Sequence, residues 1–192
     1  MRTANLTRKT KETAIDLSLD LDGKGCADIC TGIGFLDHML DLFAAHSGID
    51  LTLRCDGDLS VDPHHSIEDI GIVLGLALKE ALGEKKGIAR YGSALIPMDE
   101  TLAEAAVDFS GRAFLVFNAD FSVDRIGEFP MEMTEEFFWA LAFNAGMTLH
   151  LNLRYGKNNH HIAEALFKSF AHAVKAAVRE EGEEILSTKG VL

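Results

Sequence analysis

The chain carries one short motif twice, and this repetition restricts the folds that it can adopt. His-His-x-x-Glu occurs at residues 64–68 and again, 96 positions later, at residues 160–164. Each copy follows a run of alternating apolar and polar residues, which predicts a strand, and begins a long stretch with the apolar spacing of a helix. The matched context predicts an internally duplicated chain with two similar halves.

The remaining elements repeat in the same order. In each half the pattern predicts two strands, a helix, a strand and a second helix. Gly48 and Gly146 end the equivalent first helices and lie 98 positions apart. The first two strands of each half are expected to form a hairpin. The predicted helices cover 35–47, 64–82, 134–145 and 160–181, and the predicted strands cover 15–21, 26–30, 50–55, 101–109, 112–118 and 147–155.

These patterns predict an α+β fold in which sheets pack against helices. With 192 residues, 47% of them hydrophobic, the chain can build one ordinary domain with a buried core. We therefore expect a single catalytic domain, 1–192, whose pseudo-repeat halves are 1–86 and 87–192 and meet in a connection rich in glycine and charge.

Charge and composition exclude several classes of function. A formal net charge of −12 argues against nucleic acid and anionic membranes as partners, because an acidic protein repels both. The polar first residues do not resemble a signal peptide, and the apolar run 70–78 is too short to span a bilayer, so a cytoplasmic location is expected. The three cysteines cannot all pair, and buried structural thiols are expected.

The duplicated motif predicts a metal site. On a helix the first His and the Glu share a face, and the second His points about 100° away, so that each copy offers ligands in two directions. In the 98-residue register His38 corresponds to Glu136, which adds one ligand from each half. Imidazole and carboxylate ligands without thiolate suit manganese, iron, cobalt, nickel or zinc, and eight ligands over two ions leave positions open for substrate. The candidate metal ligands are His38, His64, His65, Glu68, Glu136, His160, His161 and Glu164.

Four segments resemble the signatures of the imidazoleglycerol-phosphate dehydratase family. They are 32–40, 62–69, 159–168 and the ending 187–190. The similarity extends from about Thr7 to the C-terminus. The resemblance implies a hydro-lyase that converts D-erythro-imidazole glycerol phosphate to imidazole acetol phosphate and water in L-histidine biosynthesis.

The same resemblance implies the fold, cofactor and assembly. It implies the ribosomal protein S5 domain 2-like fold, two Mn²⁺ ions per active site and a homo-oligomer of 24 subunits with active sites between subunits. Two metals would hold the substrate ring as imidazolate, which would expel the neighbouring hydroxyl and give a diazafulvene-like intermediate. Glu12, in the family pattern Arg-x-x-x-Glu that begins at Arg8, is the expected base, and Glu164 is the second candidate.

Family positions also imply the substrate-binding residues. Arginine offers a planar fork and lysine a point charge, which is the local positive charge that a phosphate needs on an acidic protein. The expected substrate-binding residues are Arg8, His38, His46, Arg90, Arg112, Lys168, Ser187, Thr188 and Lys189. Many family members carry His where this chain has Glu136, which leaves the ligand at that position open. The role of His150 is also open, and His172 is expected to be structural.

Two other functions use similar ligands. A dinuclear metallohydrolase would activate water with the same residues and cleave phosphate esters. A metal-storage shell would also be acidic, rich in histidine and oligomeric, but would bind metal without turnover. Metal storage would give no function to Glu12, Arg90 and Arg112.

Overall fold

The computed structural model describes residues 1–190, which form two four-stranded sheets, a short two-stranded ribbon and four helices. The first half contains β1 (Thr3–Lys9), β2 (Thr13–Asp20), β3 (Ala27–Cys30), α1 (Gly34–Ser47), β4 (Asp50–Gly57) and α2 (His64–Leu82). The second half contains β5 (Tyr91–Met98), β6 (Thr101–Asp108), β7 (Phe114–Asn118), β8 (Arg125–Ile126), β9 (Phe129–Pro130), α3 (Met133–Ala145), β10 (Thr148–Tyr155) and α4 (Asn159–Ala177).

The two sheets have the same topology. Their strand orders are β1-β2-β4-β3 and β5-β6-β10-β7, and in each sheet the last pair is parallel while the other pairs are antiparallel. Gly48 and Gly146 end α1 and α3 in the left-handed conformation, with φ of 81° and 64°, as glycine at a helix end permits. The predicted α+β class and the internal duplication are confirmed.

The predicted hairpins are wrong. β2 pairs with β1 and β4 instead of β3, and β6 pairs with β5 and β10 instead of β7. The short strands β3 and β7 are edge strands that run parallel to β4 and β10, because the longer strand takes the central place where its apolar face is buried. The predicted order of elements also lacked the opening strand of each half, β1 and β5, whose apolar alternation is weak. The last predicted helix ends at Ala177 instead of 181.

The thiols are also more exposed than expected. Cys26 and Cys30 are exposed, and Cys55 is partly buried. Cys26 lies in the loop after β2, and Cys30 lies on the edge strand β3, so neither reaches the core. Burial raises the pKa of the Cys55 thiol to about 11, which keeps it protonated at neutral pH.

The helices lie together and join the two halves. α2 packs closely on α3, and α1 packs on α4, while α2 also contacts β1 and β2 and α4 contacts β5 and β6. Gly75 permits the close approach of α2 to α3, since a Cβ there would lie 2.5 Å from the carbonyl oxygen of Leu141.

Phe138 fills the space between α3 and α4, with its ring centroid 4.8 Å from that of Phe167. α4, which carries the second His-His pair, is fixed against α1 by the stacked rings of Phe43 and Phe170, whose centroids lie 5.4 Å apart.

In residues 1–190, no helix combines the length and the apolar character that a membrane crossing requires.

Candidate metal and substrate site

Both His-His pairs lie in the first turn of a helix. The Asn158 side chain caps α4 and accepts hydrogen bonds from the backbone N–H groups of His160, at 2.9 Å, and His161, at 3.4 Å. Asp62 accepts the backbone N–H of His64 at 2.8 Å at the start of α2. These contacts fix the direction of the helix start, so that each pair projects from a rigid element.

One group of candidate ligands is assembled within the chain. Ligand atoms of His38, His160 and Glu164 all lie within 4.8 Å of one another, and no other His, Cys, Asp and Glu residues in the described part of the chain form such a group of three. Glu164 Oε2 is 3.2 Å from His160 Nε2 and 3.8 Å from His38 Nε2. Two imidazoles and a carboxylate fit a divalent transition metal with positions left open.

Glu164 is the buried member of this group. Its side chain is 9% exposed, whereas those of His38 and His160 are 47% and 42% exposed. Burial alone would raise the pKa of Glu164, but Lys168 and the two imidazoles outweigh burial and hold the pKa below its usual range. The carboxylate is therefore ionised at neutral pH, and its present partner Lys168 competes with a cation for it.

The second histidine of each pair has a carboxylate at its Nδ1 atom. Asp58 Oδ2 lies 3.0 Å from His65 Nδ1, and Glu100 Oε2 lies 2.7 Å from His161 Nδ1. These hydrogen bonds are the leading cause of the raised pKa values of the two imidazoles. Within residues 1–190 neither Nε2 atom forms a hydrogen bond, and Asp99 Oδ2 lies 3.8 Å from His161 Nε2.

Five predicted metal ligands lie outside the three-residue group. His64 faces Glu68 four residues later, with 4.0 Å between Nε2 and Oε2. Glu136 is partly buried in the first turn of α3. The residues outside the group are His64, His65, Glu68, Glu136 and His161, and their role as ligands stays a prediction.

The predicted base lies beside the first His-His pair. Glu12 is in the turn between β1 and β2, next to an open depression lined by residues 9–14 and 56–58. Its carboxylate is 54% exposed and lies 4.0 Å from His65 Nδ1. Arg8, which precedes the turn, binds the buried Asp69 of α2 through Nε at 3.0 Å and Nη2 at 2.9 Å. The structure thus places Arg8 as an anchor of the turn that carries Glu12.

Two predicted phosphate-binding residues, Arg90 and Arg112, lie around Asp108. Arg90 is buried and donates to Asp108 Oδ1 at 2.7 Å and to the carbonyl oxygen of Leu186 at 2.6 Å. Arg112 lies 3.7 Å from Asp108, and its side chain is 70% exposed. The contact with Leu186 holds the C-terminal segment that contains Ser187, Thr188 and Lys189 next to Arg90. Lys168 lies apart from this group, at Glu164.

Sequence reasoning treated His46 and His172 separately, but the structure joins them. His46 Nδ1 lies 3.2 Å from His172 Nε2 between α1 and α4. Burial, followed by the nearby Lys168 and His172, lowers the pKa of His46. His150 is exposed on β10. The eight-residue spacing from His38 to His46 and from Glu164 to His172 is the signal that could have suggested a contact between the two helices.

Comparison with known proteins decides the family. A family profile described as imidazoleglycerol-phosphate dehydratase matches residues 31–174. The chain belongs to this family. The imidazoleglycerol-phosphate dehydratases of Rhodopseudomonas palustris strain TIE-1 and of Methanosarcina mazei are each 57% identical to it. The alignments cover 100% of this chain in both cases, with 99% of the first relative and 100% of the second.

Solved structures agree with this family. The crystal structure of the Staphylococcus aureus dehydratase matches with a TM-score of 0.85 and 44% identity, covering 93% of this chain and 99% of that one. The Pyrococcus furiosus dehydratase in complex with (S)-C348 matches with a TM-score of 0.85 and 38% identity, covering 97% and 100%. The resemblance seen in the sequence motifs is confirmed.

Proposed function

We propose that this protein dehydrates D-erythro-imidazole glycerol phosphate to imidazole acetol phosphate in L-histidine biosynthesis and is therefore a hydro-lyase. The observation that carries the proposal is the cluster of His38, His160 and Glu164 in a chain of this family. The substrate has an imidazole ring, a diol and a phosphate, and the chain has separate groups suited to each.

The difficult step is removal of a proton from carbon. The hydroxyl next to the ring leaves as water, the neighbouring carbon loses a proton, and the resulting enol becomes the ketone of the product. The carbon that loses the proton has no adjacent carbonyl, so a well-placed base is needed. Glu12 suits this role because it is exposed beside the first His-His pair, and such acid–base help is worth roughly 10²–10⁴-fold in rate.

The resident metal is proposed to be Mn²⁺, with two ions per active site. Held by its histidine and glutamate ligands, a divalent cation would supply Lewis-acid polarisation of the substrate's imidazole. The mixed nitrogen and oxygen ligands of His38, His160 and Glu164 fit manganese. The four remaining histidine and glutamate residues of the two motifs, together with Glu136, are proposed to complete the two sites.

The phosphate is proposed to bind at Arg90, Arg112 and the tail residues Ser187, Thr188 and Lys189. Arg112 has a side chain that is 70% exposed and 3.7 Å from Asp108, whereas Arg90 is buried and held in a fixed orientation by Asp108. Lys168, which is paired with Glu164, and His46, whose pKa is lowered by burial, offer a second group of nitrogen donors next to Glu164. These separate positions favour a substrate that spans from the ring to the phosphate.

The proposed assembly is a homo-oligomer of 24 subunits in the cytoplasm, with active sites between subunits. It is supported by the position of the predicted ligands, because residues of the first motif lie outside the group formed by His38, His160 and Glu164. A neighbouring subunit would bring the two sets together. Within each subunit, 1–192 is proposed to act as one catalytic domain with halves 1–86 and 87–192, consistent with the repeated sheet topology.

The products distinguish this function from the alternatives. Purified protein with Mn²⁺ is incubated with imidazole glycerol phosphate, and ketone and inorganic phosphate are measured in the same sample. Ketone formation without phosphate release is expected for the dehydratase. Release of phosphate instead would favour a metallohydrolase, and the absence of both products from a metal-loaded oligomer would favour storage.

A further inference from the structure

The equivalent turns of the two halves place a glutamate at the same position. Glu12 is the residue before β2, which begins at Thr13, and Glu100 is the residue before β6, which begins at Thr101. Each turn connects the first two strands of its sheet. Each glutamate also lies near the second histidine of the adjacent His-His pair.

The following loops are equivalent too. Gly57 and Gly156 each lie beside the threonine that begins β2 or β6. A Cβ at Gly57 would lie 3.7 Å from the Thr13 methyl group, and one at Gly156 would lie 2.6 Å from Thr101 Oγ1. The residues after these glycines therefore correspond, and they are Asp58 and Lys157.

The two halves use their carboxylates differently. In the second half Glu100 binds His161 Nδ1 through Oε2 at 2.7 Å. Its Oε1 accepts the backbone N–H groups of Lys157 at 3.2 Å and Asn158 at 2.8 Å. Glu100 is thus fixed by three contacts between the β5–β6 turn and the start of α4.

In the first half another residue has taken this place. Asp58 lies 3.0 Å and 3.2 Å from His65 Nδ1 through its two oxygens, whereas Glu12 is 4.0 Å away. The second half has Lys157 at the position of Asp58 and offers no such replacement for Glu100. Glu12 is therefore left with an exposed carboxylate, although it occupies the position of Glu100.

We propose that Asp58 and Glu100 are positioning residues for the metal-binding histidines, and that Asp58 frees Glu12 to act as the base. The proposal rests on the proposed function. A carboxylate that accepts the Nδ1–H of an imidazole fixes the tautomer with a lone pair at Nε2, which is the atom that then binds a metal. Glu12 and Glu100 thus occupy equivalent positions but have different roles. Glu100 orients His161, whereas Asp58 orients His65 and leaves Glu12 free to act as the base.

Glu100→Gln is a specific probe of this role. The amide oxygen can keep the two backbone hydrogen bonds at the start of α4, while the amide NH₂ replaces the oxygen that faces His161 Nδ1. An N–H donor at that point favours the other tautomer, with the proton on Nε2, and opposes metal binding. Asp58→Asn removes the carboxylate charge beside His65 Nδ1 in the first half.

The measurement is Mn²⁺ affinity. Full-length chelated protein is titrated with Mn²⁺, and free Mn²⁺ is followed by electron paramagnetic resonance. Loss of such an outer carboxylate typically weakens metal binding by about 10–100-fold. We expect a loss of this size for Glu100→Gln and Asp58→Asn. Glu12→Gln should bind Mn²⁺ as wild type does, and so should Asp56→Asn, which removes an exposed carboxylate from the end of β4.

The most direct test compares the Mn²⁺ affinities of Glu12→Gln and Glu100→Gln, which change the two equivalent glutamates. Equal Mn²⁺ affinity of Glu100→Gln and wild type would overturn the proposal, as would equal weakening by Glu12→Gln and Glu100→Gln. Should Glu100→Gln fail to fold, Asp58→Asn carries the same test. A wild-type protein that binds Mn²⁺ but forms no ketone would refute the proposed function and leave the comparison of Mn²⁺ affinities unchanged. Failure of the proposed function is therefore distinguishable from failure of the positioning role.

Discussion

The contact between Asp69 and the turn that carries Glu12 leads to a prediction about stability. Asp69 is 8% exposed; its Oδ1 accepts a hydrogen bond from Arg8 Nε at 3.0 Å and forms an ion pair with Nη2 at 2.9 Å. Its Oδ2 accepts the hydroxyl of Thr13, the first residue of β2. The residues on both sides of the turn are therefore tied to one carboxylate on α2.

Asp69→Asn removes the charge and keeps the shape. Hydrogen bonds to charged groups are worth about 1.5–3 kcal/mol and neutral ones about 0.5–1.5 kcal/mol, so the hydrogen bond and the ion pair with Arg8 together lose roughly 2–3 kcal/mol when the acceptor becomes neutral. The Arg8 side chain is 39% exposed, and solvent screening reduces the loss to about 1–2 kcal/mol. The amide also presents NH₂ to Thr13, which forces its hydroxyl to accept.

The assay is urea unfolding of the chelated protein, followed by circular dichroism at one fixed chain concentration. Asp16→Asn is the matched control, because Asp16 is an exposed residue of β2 whose carboxylate binds only the neighbouring Thr7 hydroxyl. We expect Asp69→Asn to lower the free energy of unfolding by about 1–2 kcal/mol and Asp16→Asn to change it by less than about 0.5 kcal/mol. Equal effects would refute the reasoning that Asp69 anchors the turn.

Three further predictions concern metal binding, pH and the core. Glu164→Gln should weaken Mn²⁺ binding by more than the roughly 10–100-fold that is typical of residues outside the ligand set. Glu84→Gln, which changes an exposed loop residue, should leave Mn²⁺ binding unchanged. Equal Mn²⁺ affinities of the two variants would contradict the metal site at Glu164. In the chelated protein the hydrogen bond between Glu100 and His161 raises the pKa of His161 and lowers that of Glu100 to about 2. The stabilisation from this hydrogen bond is complete below the unfolded histidine pKa of about 6.5 and is lost as pH rises through the higher pKa of the folded state. The melting temperature should therefore fall on going from about pH 6 to pH 8, and less so in Glu100→Gln; identical slopes would count against this. Phe138→Ala should lower the free energy of unfolding by about 3–5 kcal/mol in urea, since the ring is fully buried, and a loss below about 1 kcal/mol would argue against the packing described.

The helices were predictable because their signals are local. The range 64–82 predicted from apolar spacing is the observed range of α2, and Gly48 and Gly146 end α1 and α3 as expected. Strand pairing was not predictable in the same way, because it joins segments far apart in the chain. β3 and β7 pair with strands that follow an intervening helix, and no local pattern distinguishes this from a hairpin.

The site was predictable in part for the same reason. The spacing of His160 and Glu164 places both on one face of α4, and the 3.2 Å contact follows from the helix itself. The carboxylates at Nδ1 were missed, because Asp58 and Glu100 come from loops seven and 61 residues before their histidines. The pairing of His46 with His172 also depends on how α1 packs on α4, which only the folded chain reveals.

The central claim is that this chain is a metal-dependent imidazole glycerol phosphate dehydratase. The most direct test is ketone formation from that substrate by chelated protein, measured at increasing Mn²⁺ together with the amount of Mn²⁺ bound per chain. We expect no ketone without metal and a rate that rises with bound Mn²⁺. Full activity of the chelated protein, or no ketone from a metal-loaded oligomer, would contradict it.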